Sequence, residues 1–141
     1  MLGKTAGGLF WMFRYLERAE NIARLVEAGW RIALTRSGDA ENEWKSVVIT
    51  AGMQAGYLAK HDDFEAVRVI NYLLRDPDNG SSVMSAMNAA RSNARLVRTA
   101  LSSEVWEAVN ECWMAVKAAL ARPVTERNLP EVLSVIRTRS A

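Results

Sequence analysis

Apolar residues recur along the chain at three- and four-residue intervals, and no stretch alternates in the manner of a Val-, Ile- and Thr-rich strand. The pattern predicts an all-α fold: an up-and-down bundle of five to six antiparallel helices with a long first helix. That first helix runs from about Thr5 to Thr35, roughly 45 Å at 1.5 Å per residue, and Ser37-Gly38-Asp39 stops it. A second covers Ala40 to Ala59, where Gly52 and Gly56 share a face and read as a close helix crossing. Asp62, with Glu65 three residues on, predicts the cap of a third helix ending near Arg75. Asp76-Pro77-Asp78-Asn79-Gly80 is a turn. A fourth helix then runs from Ser81 or Ser82 to Leu101, and a fifth from a Ser102/Ser103 cap to Ala121. Pro123 closes it, and a short last helix starts near Pro130.

Short connections and the absence of a linker make residues 1–141 a single helical domain. Half the residues are hydrophobic and 24% are charged, so the chain can bury a core. Eighteen basic against sixteen acidic side chains leave a net charge of +2, too balanced to point to nucleic acid or a membrane. The longest uncharged run, Ser46 to Ala59, is too short to span a bilayer. Lys4 and the apolar stretch after it lead straight into Arg14, Glu17, Arg18 and Glu20, not into a leader's cleavage site. One cysteine cannot form an internal disulfide, and a cytoplasmic location is expected.

The first helix carries two stripes. Met12, Leu16, Ala19, Ala23, Val26 and Trp30 form a core stripe. Opposite lies a polar ladder of Arg14, Glu17, Arg18, Asn21 and Arg24, with Glu20 placed to pair within it. Two readings stand open. The ladder is a solvated face with weak surface ion pairs, or a buried network suited to arginine's planar fork. The fourth helix adds Arg91, Arg95 and Arg98 on the face of Asn88, in a 25-residue stretch from Asn79 to Ser103 without an acidic residue. Either Glu17 and Glu20 neutralise this stripe across the helix interface, or an anionic ligand does. The stripe lacks interleaved aromatics, since Leu96, Val97 and Ala100 give no stacking platform, which argues against nucleic acid.

Catalytic chemistry finds little support. The carboxylates of Glu17 and Glu20 lack the Glu-x-x-His partners of a di-metal bundle, since His61 is the one histidine. His61 reads as a surface residue. Cys112, beside the apolar stripe of Trp106, Val109, Trp113 and Val116, reads as an inert packed thiol. The tryptophans fall mostly at core-like spacing.

The run from Trp11 through Tyr15-Leu16-Glu17-Arg18-Ala19-Glu20-Asn21 to Arg24-Leu25 resembles the start of bacterial alpha-E domain proteins, an all-helical family named for a Glu-Arg motif. Asn79-Gly80-Ser81-Ser82-Val83, Ala90-Arg91-Ser92-Asn93-Ala94-Arg95 with Val97-Arg98, and Trp106-Glu107-Ala108-Val109-Asn110 extend the match. Gly7-Gly8, Phe13 and Gly80 depart from the expected pattern. The resemblance marks Arg14, Glu17, Arg18, Glu20, Asn21, Arg24, Arg91, Asn93, Arg95 and Arg98 as ligand- or partner-binding residues. Members of the family are about twice as long, so the chain is expected to be an N-terminal half. A surface left by the missing half would then favour homo-oligomers. The family's genes lie beside ATP-grasp enzymes and transglutaminase-like peptidases, in a predicted peptide-ligation or peptide-modification pathway, and no reaction is established for the alpha-E protein itself. The expectation is a non-catalytic accessory protein, without metal or cofactor, that holds a partner enzyme or a carboxylate ligand. The alternatives are an enzyme of amide-bond chemistry with Glu17 as general acid or base, and a purely structural scaffold.

Overall fold

The computed structural model describes residues 2–35 and 40–140, which form seven α-helices and no strand. They are α1 (Leu2–Thr35), α2 (Ala40–Thr50), α3 (Gln54–Lys60), α4 (Ala66–Leu74), α5 (Val83–Leu96), α6 (Ser103–Ala119) and α7 (Leu129–Ser140), with a 3₁₀ turn at Arg98–Ala100. The all-α expectation and the long first helix are met. The Ser37-Gly38-Asp39 break lies outside the described residues.

α1, about 51 Å long by its 34 residues, is the spine of the fold. Its predicted core stripe points inward: Met12, Ala19, Ala23 and Val26 are fully buried, and Leu16 and Trp30 half-buried. The N-terminal half packs on α5 and α6, where Met12 joins Ala90, Ala94 and Val109 in a small apolar cluster. The rest of α1 packs against the main core, built around Trp44, Tyr57, Ile70, Leu73, Met87 and Ile136. α7 lies along the C-terminal half of α1.

The predicted second helix is two. Gly52 has φ +73°, its N–H donates to Ile49 O at 2.9 Å, and Met53 N–H reaches back to Val48 O at 3.1 Å. This left-handed stop, closed by a six-to-one hydrogen bond, ends α2 and turns the chain into α3. Gly52 therefore serves the turn and Gly56 a close approach, since a Cβ on Gly56 would collide with the Tyr72 hydroxyl of α4. α1 and α2 approach closely at Gly29, where a Cβ would sit 2.6 Å from Val47 Cγ2.

The third helix also starts later than Asp62. Glu65, extended at φ −65° and ψ 139°, is its N-cap, and the helix begins at Ala66. The reason is tertiary. Tyr57 donates its hydroxyl to Asp63 O at 2.6 Å and stacks on buried Phe64 at 5.1 Å between ring centroids. These contacts hold residues 62–65 off the helical path. The turn and serine caps follow the sequence. Asp76 Oδ1 accepts the Asp78 N–H at 2.9 Å, and Ser82 and Ser102 accept from Ser85 and Val105 N–H groups. α5 stops at Leu96, short of Leu101, as Val97 turns inward against Gly8 and the chain tightens into the 3₁₀ turn.

Candidate functional site

Arg14, Glu17, Arg18 and Asn21 project from the middle of α1 into one open cleft of about 350 Å³. Its far wall is Thr50, Ala51 and Met53, at the α2–α3 stop, with Ser81 from the start of the α5 capping segment. Thus the left-handed Gly52 brings backbone opposite the ladder. Arg14 and Glu17 stand 3.6 Å apart with side chains 56% and 60% exposed. At such exposure the pair is worth about 0–1 kcal/mol, so the buried-network alternative gives way to the solvated one. Arg18 is half-buried, with its guanidinium 5.4 Å from the Tyr15 ring centroid. Among the described residues no carboxylate pairs with it.

The lower rungs of the ladder face elsewhere. Glu20 pairs with Arg24 at 2.6 Å, and both line a second cleft of about 550 Å³ between α1 and α7. Its centre is Glu27, which forms ion pairs with Arg31 and Arg137, each at 2.6 Å, with its side chain only 16% exposed. Sequence reasoning ended the ladder at Arg24 and missed these three residues. The signal was there on α1, since Glu27 and Arg31 continue the spacing at three and seven residues past Arg24.

The α5 arginines form a third locality. They do not meet Glu17 or Glu20, so the expected interhelical Arg–Glu network is absent among the described residues. Arg91 instead donates from Nε to Asn110 Oδ1 at 3.0 Å and lies over Trp113 of α6 at 4.2 Å. Arg98, in the 3₁₀ turn beyond α5, lies 4.9 Å from the Trp106 centroid. Arg95 is exposed. Asn93 donates to Ala89 O of its own helix at 2.9 Å.

The candidates for chemistry are dispersed. Cys112 is buried in the core. His61 caps the end of α3, half-buried, with its ring 4.9 Å from Tyr57. Of the tryptophans, Trp44 is fully buried, whereas Trp11, outside the predicted core stripe, is 47% exposed. Among the described residues no helix is long and apolar enough to cross a membrane.

One strongly charged cluster outside the clefts closes the α4–α5 turn. Lys60 Nζ contacts Asp76 Oδ2 at 2.7 Å and Asp78 Oδ2 at 3.0 Å. Burial opposes the Asp76 carboxylate, yet the Lys60 ammonium and the Asp78 N–H outweigh it and hold its carboxyl below the ordinary value. The same two aspartates push Lys60 above the ordinary lysine value.

Against known proteins, the chain is 30% identical over 117 residues to an uncharacterized protein of Mycobacterium bovis and, equally, to one of Mycobacterium tuberculosis. Each match covers 73% of this chain and 13% of the mycobacterial protein, so the chain spans a small part of the curated relatives it matches. No solved structure matches it. A family model described as a predicted alpha-helical domain with a conserved ER motif matches residues 1–141, the whole chain. The chain belongs to the Alpha-E family.

Proposed function

We propose that this Alpha-E domain is a non-catalytic binding module whose α1 cleft holds a carboxylate-bearing peptide or the carboxylate-bearing segment of a partner. The observation that carries this reading is Arg18: a half-buried guanidinium at an open cleft, without a carboxylate partner among the described residues. Arg18 and Arg14 supply charge-assisted donors for a carboxylate. Asn21 offers an amide that pairs with a peptide unit, and Glu17 accepts an amine at the same cleft. The ladder places these four groups within about two helical turns, a spacing suited to one short ligand. The Glu-Arg pair at Glu17-Arg18 is our reading of the family's ER motif. ATP-grasp-type and transglutaminase-like proteins, the partners implied by the family resemblance, belong to this proposal, and with them a role in peptide ligation or modification. The open, exposed setting of Glu17 favours binding over general acid–base work, which calls for a sheltered carboxylate.

Calorimetric titration with short peptides, each with a free or an amidated C-terminus, tests the reading. Amidation and Arg18→Gln are each expected to weaken binding about tenfold or more, with the helical circular dichroism unchanged. Equal affinity for both peptide forms, or an Arg18→Gln protein that binds as the wild type does, would sink it. A pull-down with a co-encoded ATP-grasp enzyme, using the same variant, tests the partner arm.

A further inference from the structure

The seam between α5 and α6 sets cations against tryptophan rings. The stretch from Asn79 to Ser103 has three arginines and no acidic residue. α6 sets Trp106, Asn110, Trp113 and Lys117 on a single face, while Glu104, Glu107 and Glu111 fall about 100–160° around the helix from Trp106. The two helices run antiparallel, because partners climb α5 as they descend α6: Asn88 with Trp113, Arg91 with Asn110, and Arg98 with Trp106.

This face is built and not merely charged. Trp113 Nε1–H donates to Asn88 Oδ1 at 2.8 Å, which fixes the indole. Arg91 lies over that indole at 4.2 Å and Lys117 at 4.7 Å. Asn110 takes the Nε–H of Arg91, so its terminal Nη groups are left without a hydrogen-bond acceptor among the described residues. Arg98 rests on Trp106 in the same manner. No ion pair reaches Arg91, Arg95, Arg98 or Lys117 among the described residues. A guanidinium laid on an indole and tied at Nε has its side-chain entropy already spent, and presents a fork that matches a carboxylate.

We propose that this seam is a docking strip for an extended acidic segment of a partner protein. Its carboxylates meet Arg91, Arg95 and Arg98 in succession, with Lys117 beside Arg91 at the start of the strip. The spacing supports it: four helical residues from Arg91 to Arg95 rise about 6 Å, close to the roughly 6.6 Å between alternate residues of an extended chain. Acidic residues two apart therefore fit the step from Arg91 to Arg95. The cations on the indoles occupy the ring faces that nucleobases need for stacking, which favours carboxylates over single-stranded nucleic acid. The strip is separate from the α1 cleft and does not rest on it.

Fluorescence anisotropy with a labelled peptide carrying glutamates at alternate positions tests the proposal, against three probes. These are the same peptide with glutamines, a peptide with the same number of glutamates in one block, and an oligothymidylate. The alternating peptide is expected to bind at least about tenfold tighter than each of the others. Arg91→Gln and Arg95→Gln, the latter at an exposed residue, are each expected to weaken it about three- to tenfold. Equal binding of the glutamine peptide or an Arg95→Gln protein that binds as the wild type does overturns the strip. Equal binding of the block peptide overturns its register, and tighter binding of the oligothymidylate makes it a nucleic-acid surface.

Discussion

Asn71 of α4 and Val124, in the connection between α6 and α7, pair through two reciprocal hydrogen bonds. Asn71 Nδ2 donates to Val124 O at 2.8 Å, and Val124 N–H donates to Asn71 Oδ1 at 2.7 Å. A side-chain amide here takes the part of a strand neighbour for Val124, whose N–H and C=O have no backbone partner among the described residues. Arg75, one turn on, donates from Nε to Leu120 O at 2.9 Å, closing the exposed carbonyl end of α6. Replacing Asn71 by Ala leaves both Val124 groups unpaired beside the core and is expected to cost about 2–4 kcal/mol, by chemical denaturation. Asn71→Asp keeps the acceptor, but its ionised carboxylate faces the Val124 and Val67 carbonyl oxygens, so it is expected to cost less with the carboxyl protonated than with it ionised.

The Glu27 clamp couples α7 to the spine. Arg137 is half exposed and Glu27 nearly buried, so the pair is worth more than a free surface bridge. Arg137→Ala is expected to lower stability by about 1–2 kcal/mol, and Arg31→Ala, whose side chain is 71% exposed, by under about 1 kcal/mol. Opposite magnitudes in thermal unfolding at low salt would refute the assignment of Glu27 to α7.

The cleft ladder is expected to be dispensable for folding. Glu17→Gln removes one side of an exposed pair and should move the unfolding free energy by no more than about 0.5 kcal/mol. A large loss of stability would return the ladder to architecture and remove the ground for a binding role.

Two glycines should behave differently for separate reasons. Gly29→Ala puts a methyl 2.6 Å from Val47 Cγ2 inside the α1–α2 crossing, and overpacking there is expected to cost about 1–3 kcal/mol. Gly52→Ala meets no neighbouring atom but must hold φ +73°, at about 1 kcal/mol. A Gly52→Asn protein, with a residue that tolerates the left-handed region, should recover part of that loss.

Stability should also fall at both pH extremes, for opposite reasons. Burial, then the charge of Asp63, pushes the Tyr57 hydroxyl from 10.0 up to about 12. The folded state thus holds that proton more tightly, so its contribution is complete below pH 10 and is lost as pH rises toward 12. Asp76 acts in the other direction: its carboxyl is lowered from 3.8, so its contribution is present above that pH and lost as acid takes the carboxyl through its lowered value. Tyr57→Phe should remove part of the alkaline loss in a pH series of denaturation curves, and Asp76→Asn should flatten the acid limb.

Helix existence was legible wherever periodicity ran long, as in α1, α6 and the serine-capped start of α5. Boundaries failed where a tertiary contact outbid the local signal. Asp62 has the credentials of a cap, but Tyr57 and Phe64 hold the segment beyond it extended. Gly52 carried its left-handed turn as an ordinary member of a glycine pair. The ladder on α1 was visible as spacing, whereas its division between two clefts was not, because the opposing walls come from Thr50–Met53 and from α7. Spacing grouped Arg91, Arg95 and Arg98 on one helix, but Arg98 lies in the turn beyond α5, and the aromatic partners of Arg91 and Arg98 sit on α6, where no reading of α5 alone could find them.

The unbroken course of α1 makes it a shared wall. Glu20 and Arg24 line one cleft and Asn21 and Leu25 the other, so over about one and a half turns the same helix serves both. The clefts overlap lengthwise and open on different sides of one rod. A kink placed between residues 20 and 25 therefore disturbs both at once, whereas a side-chain change on one face leaves the opposite cleft intact.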